Sequence, residues 1–153
     1  MLIRAALAEF GERFKYLGRL NSDEVRDFYQ DIDVFLFPTI HKHEAEPLVV
    51  IDAVASGVPV IATDRGCIDY LLGNSGGRVL QVEDFVTNAT EQIAAWTEYP
   101  DQLASASRLA RARFLEIRSE SQMHFEWLAE AIIRDQPERG SEGLVPGQVQ
   151  GVE

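Results

Sequence analysis

One cysteine, Cys67, is all that the 153 residues contain. That excludes an internal disulfide and a site built from several thiolates, and its simplest setting is a reducing compartment. Basic residues are scarce as well: Lys plus Arg number 14 against 25 Asp plus Glu, a formal charge of −11. A nucleic-acid backbone or an anionic membrane requires a basic footprint, so neither is expected as the main partner. A local anion site stays open, because a few oriented amides outweigh distant charge. No apolar run approaches the roughly 20 residues that span a bilayer, so no transmembrane segment is predicted. The start, Met1-Leu2-Ile3-Arg4-Ala5, meets Glu9 and Glu12 at once and lacks a signal-peptide pattern. These absences point to the cytoplasm. Neither G-x-G-x-x-G nor G-x-x-x-x-G-K-[ST] occurs, so dinucleotide and P-loop sites have no anchor.

The remaining composition is that of a globular chain, 46% apolar and 25% charged, long enough for one domain. Short β-type runs alternate with helical stretches over the first 82 residues. Phe14-Lys15-Tyr16-Leu17 reads as a strand ending at Gly18. Asn21 and Glu24 have the spacing of a capping box, and Val25, Phe28 and Tyr29 give the helix after them an apolar stripe. Val34-Phe35-Leu36-Phe37 is a continuous apolar run stopped by Pro38, as suits a strand covered on both faces. A helix is predicted from Pro47, in its first turn, to Ser56, with Gly57 as a left-handed terminator. Val58-Pro59-Val60-Ile61-Ala62 is a third strand, residues 67–72 a short helix, and Arg78-Val79-Leu80-Gln81-Val82 a fourth strand. The order predicts an α/β, Rossmann-like parallel sheet of about four strands with flanking helices.

A helical part follows. Helices are predicted over 85–97, over 102–118 with Leu103, Ala106, Ala110, Phe114 and Ile117 along one side, and over 122–134 with Phe125, Leu128, Ala129 and Ile132 inward. Arg108, Arg111, Arg113 and Arg118 read as a solvated face, and Trp96 and Trp127 as packing residues. Residues 1–135 are taken as the domain. Residues 136–153, rich in Pro, Gly and polar groups, are expected to be a disordered tail. Four strands are few for a doubly wound domain, and the chain reads as the rear portion of something larger.

The densest polar cluster is Pro38-Thr39-Ile40-His41-Lys42-His43-Glu44-Ala45-Glu46-Pro47. In a parallel sheet this loop leaves the carboxyl end of a strand, where such folds build clefts. The next helix points its first amides back into the loop, a setting that favours anions. Lys42 can add a mobile positive charge, although an ordinary surface lysine is the simpler reading. Glu44 lies just before that helix and Asp52 lies inside it, in an otherwise apolar run where a carboxylate needs a partner or a solvated cleft. Two carboxylates flanking an anion site suit a ligand with hydroxyls on both sides of a diphosphate, the layout of a nucleotide-sugar. His41 and His43 beside Glu44, with no further ligand, do not make a metal site.

The stretch from Glu44 through Asp52, Ser56-Gly57 and Val58-Pro59-Val60-Ile61-Ala62 resembles the donor-site signature of the group 1 (family 4) retaining glycosyltransferases of GT-B fold. Their pattern is a Glu, seven residues, a second Glu, then Ala, Gly and an apolar-Pro-Val strand. Tyr16-Leu17-Gly18, Asp33-Val34-Phe35-Leu36-Phe37-Pro38-Thr39, Gly66, Asp69 and Gly76-Gly77-Arg78-Val79-Leu80 fit the same family. The resemblance covers residues 14–82 closely and the helices to residue 134 by character. It implies the C-terminal, donor-binding half of a GT-B fold. It implies that Glu44 is the catalytic carboxylate on the donor sugar's hydroxyls, that the backbone around Ala45, Glu46, Leu48 and Val49, with Lys42 nearby, holds the diphosphate, and that Asp52 binds the ribose. Asp52 stands where the family has Glu, and Pro47 where glycine is common. Glu46 adds negative charge that must point away from a phosphate.

No cofactor or metal is implied beyond the nucleotide-sugar substrate. The acceptor domain and the basic pair that neutralises the leaving diphosphate lie outside this sequence. The chain alone is therefore expected to be inactive, with a missing N-terminal domain or a partner subunit required, and with any membrane contact made through that missing half. The alternative is a non-catalytic scaffold module of the same shape paired with a separate acceptor subunit. An unrelated flavodoxin-like domain is disfavoured, since no acidic phosphoacceptor cluster follows a first strand.

Overall fold

The strand β2, Val60–Thr63, is buried over its whole length. It lies between β1, Phe35–Phe37, and β3, Arg78–Leu80, in a three-stranded sheet of order β1-β2-β3. Both pairings are parallel, Leu36 opposite Ile61 and Ala62 opposite Val79. The structure, a computed structural model, describes residues 2–134. The tail expected at 136–153 lies outside the described residues.

Each crossover between strands contains a helix, as parallel neighbours require. Before the sheet come α1, Leu2–Phe10, and α2, Ser22–Gln30. The predicted capping box closes: Asn21 Oδ1 accepts from the Asp23 and Glu24 amides at 3.0 and 3.1 Å, and the Asn21 amide donates to Glu24 Oε2 at 2.8 Å. Next are α3, Leu48–Ala55, α4, Ile68–Leu72, and α5, Phe85–Glu98. Gly57 ends α3 with φ +76°, as its type suggests. Pro47 sits one position before α3, as its N-cap with ψ 110°, rather than in its first turn.

β2 divides the core by its period of two. Val60 and Ala62 join Tyr29, Val50, Ala53, Val54, Ile68 and Leu71 on one face. Ile61 joins Phe85, Ala89, Trp96 and Ala106 on the other. Helices thus cover both faces of the sheet. Burying a branched aliphatic side chain of this kind contributes roughly 1.5–3 kcal/mol, so the central strand concentrates much of the stability.

Three expectations need correction. Residues 14–17 are not a strand, and the sheet has three strands rather than four. Among the described residues this segment has no neighbour to complete a ladder, and Tyr16 and Leu17 stay exposed. The two helices expected after Pro100 are one, α6, Pro100–Arg134. Ser119-Glu120-Ser121, between the two predicted helices, contains neither Gly nor Pro, and serine costs a helix only about 0.5 kcal/mol. Lastly, the apolar side chains expected to point inward over residues 122–134 do not; the chain has one unit to Ile117 and a second from Arg118. In the first unit Ala106, Ala110 and Ile117 are buried as expected. In the second, Phe125, Leu128 and Ile132 are exposed, and Trp127 is 69% exposed rather than packed.

No helix among the described residues is long and apolar enough to cross a membrane.

Candidate functional site

Residues 38–47 leave the carboxyl end of β1 and lead into α3. A short hydrogen-bonded chain fixes their shape. Thr63, buried at the end of β2, donates its hydroxyl to the Thr39 carbonyl oxygen at 2.5 Å. The Thr39 hydroxyl donates to Glu44 Oε2 at 3.1 Å and accepts from the His41 amide at 3.2 Å. Glu44 is consequently half-buried and tethered through Thr39 to the central strand.

The loop after β2, residues 64–67, braces it from the other side. The Cys67 amide and thiol both donate to the Ala45 carbonyl oxygen, at 3.0 and 2.8 Å. Gly66 has φ +56°, and a Cβ there would overlap the carbonyl oxygens of Glu44 and Ala45. Only glycine satisfies both the backbone angle and that close approach. Burial pushes the Cys67 thiol pKa up, and the carboxylates of Glu46 and then Glu44 push it further, partly offset by a backbone hydrogen bond. Both acids therefore bear on Cys67, which stays a thiol.

The first turn of α3 carries no side-chain cap, so the donors there are left to other partners. Val50 N–H donates back to the Pro47 carbonyl at 3.0 Å. Buried Tyr29 of α2 donates its hydroxyl to the Val49 carbonyl oxygen at 2.9 Å. Its pKa is pushed up to about 12, first by burial and then by the charge of Asp52. Asp52 is exposed, one turn beyond Leu48 on the same side of the helix.

Of the residues expected to form the site, Glu44, Ala45 and Glu46 share one braced loop, with Glu44 half-buried and the other two exposed. Lys42 is exposed in the turn of that loop. Leu48, Val49 and Asp52 lie on the exposed part of α3. Three surface grooves lie elsewhere, and none of these residues lines them. One, about 480 Å³, runs between residues 15–20 and α2 and is lined by Leu17, Leu20, Phe28 and Ile32. The other two, about 500 and 560 Å³, flank Ser56, Gly57 and Ser107. His41 and His43 face each other edge to face at 6.1 Å. Among the described residues no group of three or more His, Cys, Asp or Glu could hold a metal ion.

Sequence reasoning passed over Thr39, Thr63 and Tyr29, which hold the site residues in place. A threonine following Pro38 at a strand end, and another ending the central strand, were the available signals. It also misread Arg113. Arg113 is only 11% exposed and donates to the carbonyl oxygens of Tyr70 and Leu71, at 2.8 and 3.2 Å. Arg111 donates to the Ala55 carbonyl, and Ser107 to that of Gly57 at 2.6 Å. These side chains satisfy carbonyls at the ends of α4 and α3, where cations are favoured. Arg108 and Arg118 remain on the solvated face.

A family model of glycosyl transferases group 1 matches residues 2–98. The chain belongs to this family. Relatives of this glycosyltransferase chain include the lipopolysaccharide core biosynthesis mannosyltransferase LpsB of Rhizobium meliloti (strain 1021), 30% identical over 112 residues, 72% of this chain and 31% of that protein. The putative teichuronic acid biosynthesis glycosyltransferase TuaC of Bacillus subtilis (strain 168) is 41% identical over 56 residues, 37% of this chain and 14% of that protein. This group 1 chain thus spans at most about a third of the relatives it matches. Among solved structures, sucrose-phosphate synthase from Thermosynechococcus elongatus superposes with TM-score 0.63 at 21% identity, over 84% of this chain and 34% of that one. The likeness establishes the fold, an α/β part of the GT-B architecture.

Proposed function

We propose that this chain binds the nucleoside diphosphate sugar donor of a retaining glycosyltransferase. The observation that carries the reading is the tether of Glu44. A half-buried carboxylate is held by Thr39 at the carboxyl end of a parallel sheet, directly before a helix whose first turn has no side-chain cap. In the complete enzyme Glu44 would accept hydrogen bonds from the sugar hydroxyls. The amides of Leu48 and Val49 would face the diphosphate, with Lys42 and the backbone of Ala45 and Glu46 beside them, and Asp52 would take the ribose hydroxyls. The bond from the anomeric carbon to the diphosphate oxygen breaks, the oxygen of an acceptor hydroxyl replaces it on the same face, and the hydroxyl's proton leaves with the nucleoside diphosphate. The departing diphosphate carries charge that must be stabilised. The acceptor groove belongs to a domain outside this sequence, so the chain alone is expected to give no sugar transfer.

Calorimetric titration with UDP, GDP and ADP tests this. One of the three should bind. Asp52→Ala should weaken it by about tenfold, the loss of one charged hydrogen bond, whereas Glu44→Ala should spare the diphosphate and weaken the matching nucleotide-sugar by about as much. A second reading is a scaffold module without donor binding, paired with a separate acceptor subunit. Silence from all three nucleotides would favour that reading.

A further inference from the structure

We propose that Arg65 is the cation that meets the phosphates of the donor, an assignment that rests on the donor-site reading above. Three loops stand at the carboxyl end of the sheet, residues 38–47, 64–67 and 81–84. Their acids are Glu44, Glu46, Asp64, Glu83 and Asp84, and their Lys and Arg residues are Lys42 and Arg65. A diphosphate entering here meets an excess of negative charge, so the placement of the two cations decides whether it is tolerated.

Lys42 is exposed on a turn. Arg65 is half-buried and lies beside Gly66 and Cys67, the two residues in direct contact with the backbone of Glu44 and Ala45. Its Nη1 donates to the adjacent Asp64 carbonyl at 2.8 Å, a neutral acceptor. Its Nε is closed off from solvent and has no hydrogen-bond partner, the one buried side-chain nitrogen or oxygen in that condition among the described residues. A buried donor without an acceptor is an exception among folded chains, and a bound group or an ordered water would explain it. A partly desolvated guanidinium attracts an anion more strongly than a solvated ammonium does, and its fork matches phosphate oxygens. Arg65 thus combines position, charge and an unmet donor on the loop that braces Glu44.

The test compares the whole chain with Arg65→Gln and Arg65→Lys. Affinities are measured by calorimetry for UDP, GDP and ADP, and by ligand-observed NMR for the nucleoside matching whichever diphosphate binds. Arg65→Gln should weaken the diphosphate by about tenfold, as loss of a charged hydrogen bond does, and leave the nucleoside unchanged. Arg65→Lys, which keeps the charge without the fork, should fall between. If Arg65→Gln does not fold, Arg65→Lys decides, by weakening the diphosphate alone. Equal losses for diphosphate and nucleoside, or no loss for either, would overturn the assignment. Diphosphate binding that Asp52→Ala weakens and Arg65→Gln leaves intact overturns it while the donor-site reading stands. Absence of nucleotide binding by the unaltered chain overturns both.

Discussion

The Tyr29 hydroxyl donates to the Val49 carbonyl oxygen over 2.9 Å, tying α2 to the first turn of α3. Tyr29→Phe removes the donor and keeps the ring. We expect a loss of about 1 kcal/mol in urea unfolding. The phenol has its pKa raised from 10.0 to about 12, so the folded state retains a proton that the unfolded state gives up near pH 10. The associated stability is complete below pH 10 and is lost as pH rises through about 12. Absorbance titration should show a tyrosine step near pH 12. Tyr29→Phe should remove that late step.

Arg113 bridges two elements by donating to Leu71 and Tyr70 at the end of α4. Arg113→Ala leaves those carbonyls without their cation, and a loss of about 2 kcal/mol is expected from the charged hydrogen bonds. Arg113→Lys should recover only part, since one ammonium does not reproduce the fork. Arg108→Ala, on the exposed face, should stay within about 0.5 kcal/mol of the unaltered chain. Thermal melts of the three variants separate these outcomes.

Two glycines with nearly the same backbone angle make a controlled pair. Gly11 has φ +55° and open space where a Cβ would stand, whereas Gly66 has φ +56° and two carbonyl oxygens there. Gly11→Ala should cost about 1 kcal/mol, the strain of the angle alone. Gly66→Ala should cost at least about 2 kcal/mol more, because the loop carrying Glu44 must move. Hydrogen exchange at residues 41–46 should accelerate in Gly66→Ala and stay unchanged in Gly11→Ala.

The Cys67 thiol, with its pKa raised by burial and by Glu46 and Glu44, should react with iodoacetamide more slowly at neutral pH than a free cysteine. Glu46→Gln removes one of the two charges, so the thiolate fraction should rise and alkylation should speed up. An alkylation rate unaffected by Glu46→Gln would show that burial alone governs the thiol.

Local signals carried much of the fold. Asn21 and Glu24 announced their capping box, and Gly57 its left-handed turn, because each depends on residues within four positions. The run Val58-Pro59-Val60-Ile61-Ala62 announced a strand, but not that it would be the central one. Residues 14–17 carry a strand-like pattern too, but a strand exists only with a neighbour, and a neighbour is not a local property. Arg113 of α6 misled for the same reason. A helical stripe says which side a residue occupies, but not that the ends of two other helices lie within its reach. The loop of Glu44 and the position of Asp52 were legible as a polar cluster and an acid in an apolar run. Their supports, Thr39, Thr63 and Tyr29, were not, since each acts across more than one element.

The part of the chain that bears the family's imprint, residues 2–98, is not the part that can stand without help. Ser107, Arg111 and Arg113 clasp the far ends of α3 and α4, and Ala106, Ala110 and Ile117 plug both sides of the sheet. A cut made where the likeness stops would strip away that buttress. The loops at the opposite end of the sheet would then rest on helices with loose heels, so the smallest useful piece of this protein extends at least to Ile117.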